Sequence, residues 1–438
     1  MMNRYVYDDS YLLRKKRRRF PRLRHLLLLI VLLTAWFLLA PYTRDKDDPG
    51  KGSVKAAEPK TVLAVSAKGA APRAQAPAGA KPAALTKDDL VHISEDLIRS
   101  RNLTIDWELQ QFITDMSARY KLYHGAVVVM DSRTGDILAA YGKSPSGEDC
   151  TLALDPEIAA SIFKLVTAAA AIEQKGIGKD TRFFYSGNAH TLYKRQLTGR
   201  RDKWSADITL TDAFARSNNV VFGKLGIEYL GEEPITATAR KLGFGQSPLR
   251  VFESPPSVLF TPRDEYDLAE LASGFNRETR ISPLHAAEMV TPALNGGYMV
   301  RPRLVRTEKG ERVPVMRADT AESLQAMMEK TVKAGTVAKS FRNVKSDRVL
   351  KHLDMGGKSG SMDGDNPTGR RNWFIGFARN RDTGEGITIG CALVLSKRFH
   401  IQADMLSRLI IREHFSKDQA SMQASTQTAK GRAPQKRS

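Results

Sequence analysis

The chain has 438 residues, enough for two average domains or for one large domain with appendages. Its 68 Lys and Arg exceed its 48 Asp and Glu, for a formal net charge of +20. That excess sits beside an apolar run and not within a recognition motif, so nucleic acid is excluded as a partner. Two cysteines, Cys150 and Cys391, allow one bridge at most and exclude a disulfide framework; no Cys/His cluster has metal-ligand spacing, and no metal or cofactor is expected.

In chain order, residues 1–22 form a basic segment, with Arg14, Lys15, Lys16, Arg17, Arg18, Arg19 and Arg22 immediately before the apolar run at 26–40. Counting 23–42 reaches the roughly 20 residues that a membrane span needs, with Arg24 snorkelling and Trp36 and Tyr42 suited to the outer interface. Phe37-Leu38-Leu39-Ala40-Pro41 is a poor small-x-small cleavage site. The run therefore reads as an uncleaved single-pass signal anchor in the cell (inner) membrane, not as a removed signal peptide. The N-terminus is then cytoplasmic and the bulk of the chain periplasmic or otherwise extracytoplasmic. Residues 43–86, rich in Ala, Lys, Pro and Gly, read as a flexible tether. Residues 87–415 form one folded unit, and 416–438 read as a disordered tail.

Within the folded unit, Gly125-Ala126-Val127-Val128-Val129-Met130-Asp131, the turn at 132–135 and the run at 136–140 predict a hairpin. Ser161-Ile162-Phe163-Lys164 opens an apolar stretch that stops at Gly176, which predicts a buried helix. The segment at 209–216 predicts a short helix capped by Thr209 or Thr211; Ser217-Asn218-Asn219 then falls in a loop before a helix starting near Val220. Lys358-Ser359-Gly360-Ser361 places a lysine at a strand start. Strands at 372–378 and 387–395 follow, separated by a polar turn at 380–384, with Cys391 a buried free thiol. A last helix at 403–415 covers the sheet. Strands at both ends with helices between them predict an α/β (α+β) fold: an antiparallel sheet flanked by helices, plus an all-helical lobe.

Three short motifs carry the chemistry. Ser161, in the first turn of a helix, sits where free backbone N–H groups can hold a developing oxyanion. Lys164 lies three residues on, on the same face, and burial can keep its amine neutral as a base. Ser217 can pass a proton, and the Asn219 amide can hold a substrate carbonyl. Lys358, Ser359 and Gly360 offer a cation, a hydroxyl and room for substrate backbone. Singly, each motif also reads as a helix cap or a basic turn. Together, in this order within one exported unit, they supply one acyl-transfer site.

From Leu103 to Phe415 the chain resembles the transpeptidase domain of penicillin-binding proteins, in the serine D,D-peptidase and β-lactamase-like superfamily. The likeness extends beyond the motifs to Leu103-Thr104-Ile105-Asp106-Trp107, Ile281-Ser282-Pro283-Leu284-His285, Asn295-Gly296-Gly297, Val332-Lys333-Ala334-Gly335-Thr336 and Trp373-Phe374-Ile375-Gly376-Phe377-Ala378. The resemblance implies a five-stranded type of sheet. It makes Ser161 the acylated serine, Lys164 its base or proton shuttle, Ser217 and Asn219 the second motif, and Lys358 and Ser359 the holders of the substrate carboxylate. The backbone N–H groups of Ser161 and Ser361 become the oxyanion hole beside Gly360. Implied partners are peptidoglycan stem peptides, β-lactams as covalent inhibitors, the membrane and other cell-wall synthesis proteins. Two departures stand out: Ala159-Ala160 replaces the usual Pro-Gly, and Ser359 replaces the commoner threonine. Little precedes Leu103 beyond the tether, so neither a glycosyltransferase domain nor a large pedestal is expected.

Three other readings use the same residues. A D,D-carboxypeptidase differs only in that water accepts the acyl group. A β-lactamase must deacylate fast, and the anchor and tether argue against it. A non-catalytic β-lactam sensor or scaffold lacks support from further spans or a signalling domain.

Overall fold

Alternation of side chains along the late strands organises the molecule. In the computed structural model, which describes residues 84–395 and 401–416, Trp373, Ile375 and Phe377 point into one core while Phe374 and Ala378 enter another. A strand turns successive residues to opposite faces, so one apolar run serves two layers. The segments expected at 1–22 and 23–42, nearly all of the tether and the tail beyond Ser416 lie outside the described residues. Among the described residues no helix is long and apolar enough to cross a membrane.

The sheet is antiparallel, in the spatial order Leu353–Asp365, Thr368–Asn380, Gly386–Leu395, His124–Asp131, Ile137–Ser144 and Gly147–Glu148. Five strands are long, as expected; the sixth is a two-residue addition at one edge. The expected hairpin forms, and its first strand pairs with the last strand of the chain, with Val127 opposite Cys391. Cys391 and Cys150 are both buried free thiols.

Helices Glu95–Arg101, Trp107–Arg119 and 403–416 cover one face, with Leu109, Ile113, Leu406, Ile410 and Phe415 in that core. The opposite face carries the helical lobe. There the helix Lys164–Lys175 buries every residue from Lys164 to Ile172, as its all-round apolar pattern predicts. It ends at Gly176, whose φ of 63° is the left-handed conformation of a helix stop. Thr209 caps the helix Leu210–Ala215 by accepting the backbone N–H of Asp212.

One expectation is corrected. Lys358 does not start a strand; it lies in the interior of Leu353–Asp365. Gly356 and Gly357 before it suggested a turn because glycine normally weakens a strand. Here the strand runs through them because rings occupy the space a side chain would need. A Cβ on Gly357 would lie 2.4 Å from Phe374 Cζ, and one on Gly356 would lie 2.5 Å from Phe377 Cε1. The aromatic rings thus compensate for the missing side chains and hold the strand flat against its neighbour.

Gly357→Ala is therefore expected to destabilise the fold by about 1–3 kcal/mol, the usual cost of overpacking a core. The shift in denaturant midpoint measures it. An unchanged midpoint would mean that Phe374 moves aside freely.

Candidate active site

The three motifs come from two segments of the helical lobe and one strand of the sheet and meet at one point. Ser161 lies in the short 3₁₀ turn Ala160–Phe163 that runs into the helix Lys164–Lys175. Side chains of the strand Thr368–Asn380 anchor this turn from behind: the Trp373 indole donates to Ile158 O at 2.8 Å, and Arg371 pairs with Glu157 at 3.0 Å. Ahead of it, the strand that carries Lys358 comes close, since a Cβ on Gly360 would lie 3.3 Å from Ile162 N. At this position glycine permits the close approach.

The expected Pro-Gly replacement has a visible consequence. Ala160 has a φ of 49°, a left-handed conformation that strains any residue with a Cβ. Gly274, which follows the helix Glu265–Ser273, leaves room for it: a Cβ there would meet Ala160 O at 2.2 Å.

The second motif divides its labour. Asn218, in the middle, accepts Val221 N and caps the helix Asn219–Lys224. Ser217, at φ 57°, and Asn219 are thereby turned toward the two lysines. Lys164 Nζ lies 2.7 Å from Asn219 Oδ1, 2.5 Å from Ser273 O and 2.9 Å from Ser161 Oγ. Lys358 Nζ donates to Ser217 Oγ at 2.9 Å and to Ser359 O at 2.7 Å. Phe222 and Phe214 wall the two amines, with ring centroids 5.6 and 5.7 Å away.

Both lysines are 0% exposed, and among the described residues neither forms an ion pair with a carboxylate. Burial lowers the proton affinity of each. Lys164 is pushed well below its ordinary value by burial and then by the charge of Lys358, and Lys358 is pushed down to about 7 by burial. The geometry makes chemical sense of this. A neutral amine has two N–H groups and one lone pair. Asn219 Oδ1 and Ser273 O can only accept, so they take the two N–H groups of Lys164, and the lone pair faces the Ser161 hydroxyl. That is the arrangement of a nucleophile with its base.

Ser359 and Ser361 are half-buried and lie on the opposite strand face from Lys358. Two partners of theirs escaped the sequence reading. Thr336 shares a hydrogen bond with the Ser359 hydroxyl at 2.6 Å, and Arg370 donates to Ser361 Oγ at 2.6 Å. Thr336 lay in a segment already matched to the family, just after Gly335, but nothing local tied it to Ser359. The Ser273 carbonyl has no side-chain signal at all. The Asn219 amide does more than expected: its Nδ2 also donates to His190 O at 2.8 Å, leaving one N–H for a ligand. Among the described residues no group of His, Cys, Asp and Glu could hold a metal ion.

The lowered affinity of Lys358 predicts a pH dependence. Between about pH 7 and 10.5 the unfolded chain holds a proton that the folded chain has released. The stability cost is full below the folded value and vanishes above the unfolded one, so stability rises with pH across that window. Lys358→Met removes this contribution. Denaturant unfolding at about pH 7 and about pH 9 is expected to show a smaller gain for the variant than for the wild type. Equal gains would mean that Lys358 keeps its ordinary proton affinity.

A family model described as "Penicillin binding protein transpeptidase domain" matches residues 125–397. The chain is 26% identical over 300 residues to penicillin-binding protein PbpB of Mycolicibacterium smegmatis, covering 60% of this chain and 45% of that protein. It is 25% identical over 236 residues to peptidoglycan D,D-transpeptidase PbpA of the same organism, covering 51% and 47%. The chain thus spans less than half the length of these curated relatives. The fold is similar to that of penicillin-binding protein A from M. tuberculosis, solved as an imipenem acyl-enzyme complex, with a TM-score of 0.56, 20% identity, and 70% and 78% of the two chains covered. The three motifs meet around Lys164 and Lys358, and the family match covers more than half of the chain: it belongs to the penicillin-binding protein transpeptidase domain family.

Proposed function

We propose that this protein is a D,D-transpeptidase that cross-links peptidoglycan stem peptides through a serine acyl-enzyme, and that the segment at 23–42 tethers it to the membrane. The observation that carries the reading is the Lys164 amine, buried without a counter-charge and 2.9 Å from Ser161 Oγ. The PbpA relative, named a peptidoglycan D,D-transpeptidase, and the imipenem acyl-enzyme of the similar structure support it.

In the proposed reaction Lys164 takes the Ser161 proton as Oγ attacks the carbonyl carbon of the terminal D,D-peptide bond. The backbone N–H groups of Ser161 and Ser361 hold the oxyanion. The C–N bond then breaks, and the leaving amine takes a proton relayed through Ser217 from the lysine pair. An amine of a second stem attacks the acyl carbon, the ester C–O bond to Ser161 breaks, and the amine's proton passes through Lys164 back to Ser161 Oγ. Lys358 and Ser359 hold the terminal carboxylate, with Thr336 orienting the Ser359 hydroxyl. Asn219 keeps Lys164 in place and offers its remaining N–H to a substrate carbonyl.

Incubation with penicillin followed by mass spectrometry is expected to place the adduct on the Ser161 peptide, and Ser161→Ala is expected to abolish it. An adduct elsewhere would overturn the assignment. With a pentapeptide and an amine acceptor, the expected product is the new amide; release of the terminal residue alone, with the acceptor ignored, would make the protein a D,D-carboxypeptidase.

Charge-assisted hydrogen bonds are worth about 1.5–3 kcal/mol each. Lys358→Ala is therefore expected to slow acylation by roughly tenfold to a few hundredfold, at about 1.4 kcal/mol per decade. The loss should be much smaller for a ligand whose carboxylate is esterified. Equal losses for the two ligands would remove the carboxylate role and leave Lys358 with proton transfer or folding alone.

A further inference from the structure

The strands Arg182–Ser186 and Ser205–Thr209 form a separate hairpin on the helical lobe. Its long connection carries Lys194, Arg195, Arg200, Arg201 and Lys203 against the single acid Asp202. Trp204 is 72% exposed and Tyr193 40%. A lone exposed aromatic or a run of solvated lysines would need no explanation. Three observations set this patch apart.

The first is the internal bonding of the segment that leads into it. Gln196 is buried at the centre of the connection and makes four hydrogen bonds. Its Nε2 donates to Ser186 O and Asn188 O, and its Oε1 accepts from Thr191 Oγ1 and Tyr193 N, all between 2.9 and 3.0 Å. The second is unbalanced charge. Arg201 is paired with Asp207, but among the described residues Lys194, Arg195, Arg200 and Lys203 form no ion pair. Several of these cations lie over aromatic faces instead: Lys203 is 5.3 Å from the Trp204 ring, and Arg195 is 5.4 Å from the Tyr193 ring. The third is continuity with the acyl-transfer pocket. Asn219 donates its backbone N–H to Ala189 O at 2.7 Å and its side-chain amide to His190 O. The segment that presents the patch is therefore bonded to the residue that holds Lys164.

We propose that this basic-aromatic face, centred on Trp204, Lys203 and Arg200, binds the glycan strand from which the stem peptides hang. The inference rests on the proposed peptidoglycan substrate. A glycan offers sugar faces that pack on flat aromatic rings, and its stems offer repeated carboxylates that complement unpaired Lys and Arg. Holding the strand here raises the local concentration of stems at the pocket without touching the reacting atoms.

The test uses the full chain in detergent. Trp204→Ala and the double variant Arg200→Glu/Lys203→Glu are compared with wild type for binding three probes: soluble glycan strands with uncross-linked pentapeptide stems, the same strands with stems removed, and anionic phospholipid vesicles. Stem-bearing strands are expected to bind wild type in a salt-sensitive manner and to lose about tenfold or more in affinity in either variant. Stem-free strands are expected to bind more weakly than stem-bearing ones. Penicillin acylation and melting temperature are expected to stay unchanged in both variants, since these side chains are exposed. Strand affinity unchanged in the variants would overturn the proposal. So would equal binding of stem-free strands, or variants that lose vesicle binding while keeping strand binding, which would make the patch a membrane contact. Failure of the wild type to be acylated by penicillin would instead count against the transpeptidase reading, because strand binding is measured separately.

Discussion

The site depends on two lysines buried without counter-charges. Among the described residues two buried arginines meet carboxylates, Arg301 with Glu288 at 2.8 Å and Arg371 with Glu157 at 3.0 Å, whereas the buried Lys224 lies over the Phe184 ring. An unpaired ammonium in the interior is costly enough that the group gives up its proton instead. Lys164 and Lys358 are surrounded by hydroxyls, carbonyls and ring faces, which satisfy an amine but do not balance a charge. The burial that costs stability is what lowers the proton affinity of both amines.

Keeping both amines dry requires several elements to close over one point. The helix Lys164–Lys175 brings Lys164 inward, the end of Glu265–Ser273 supplies a carbonyl, and the second motif supplies a side-chain oxygen. The sheet contributes Lys358 from the interior of a strand whose glycines let Phe374 and Phe377 pack against it. Alternation along that strand then places Lys358 on the buried face and Ser359 on the accessible one. One strand thus presents an amine to Ser217 and a hydroxyl to Thr336.

Backbone strain marks the same place. Ala160 and Ser217 both hold positive φ without being glycine, and they flank the Ser161 and Asn219 side chains that contact Lys164. Such conformations persist where the surroundings over-determine them. For Ala160 the determinants are burial and the close approach of Gly274; for Ser217 they are the Asn218 cap and the bond from Lys358. The hairpin that holds Asn219 from the other side joins this strained centre to an exposed basic surface.

The sequence by itself determined the features that local chemistry encodes. The hairpin at 124–144 follows from β-branched runs around a turn. The buried helix after Ser161 follows from its apolar pattern and its Gly176 stop. The Thr209 cap and the helix at 403–416 are likewise local signals, and the three motifs picked out residues that the fold brings together. Only the tertiary structure decided what depends on distant neighbours. It put Lys358 inside a strand, because ring packing from Phe374 and Phe377 overrides the weakness of two glycines. It brought in the Ser273 carbonyl and Thr336, which no spacing in the chain connects to Ser161 or Ser359. It also lowered the proton affinity of the lysines. A lysine has the same pattern whether solvated or buried, and its proton affinity is a property of the surroundings that the rest of the fold assembles.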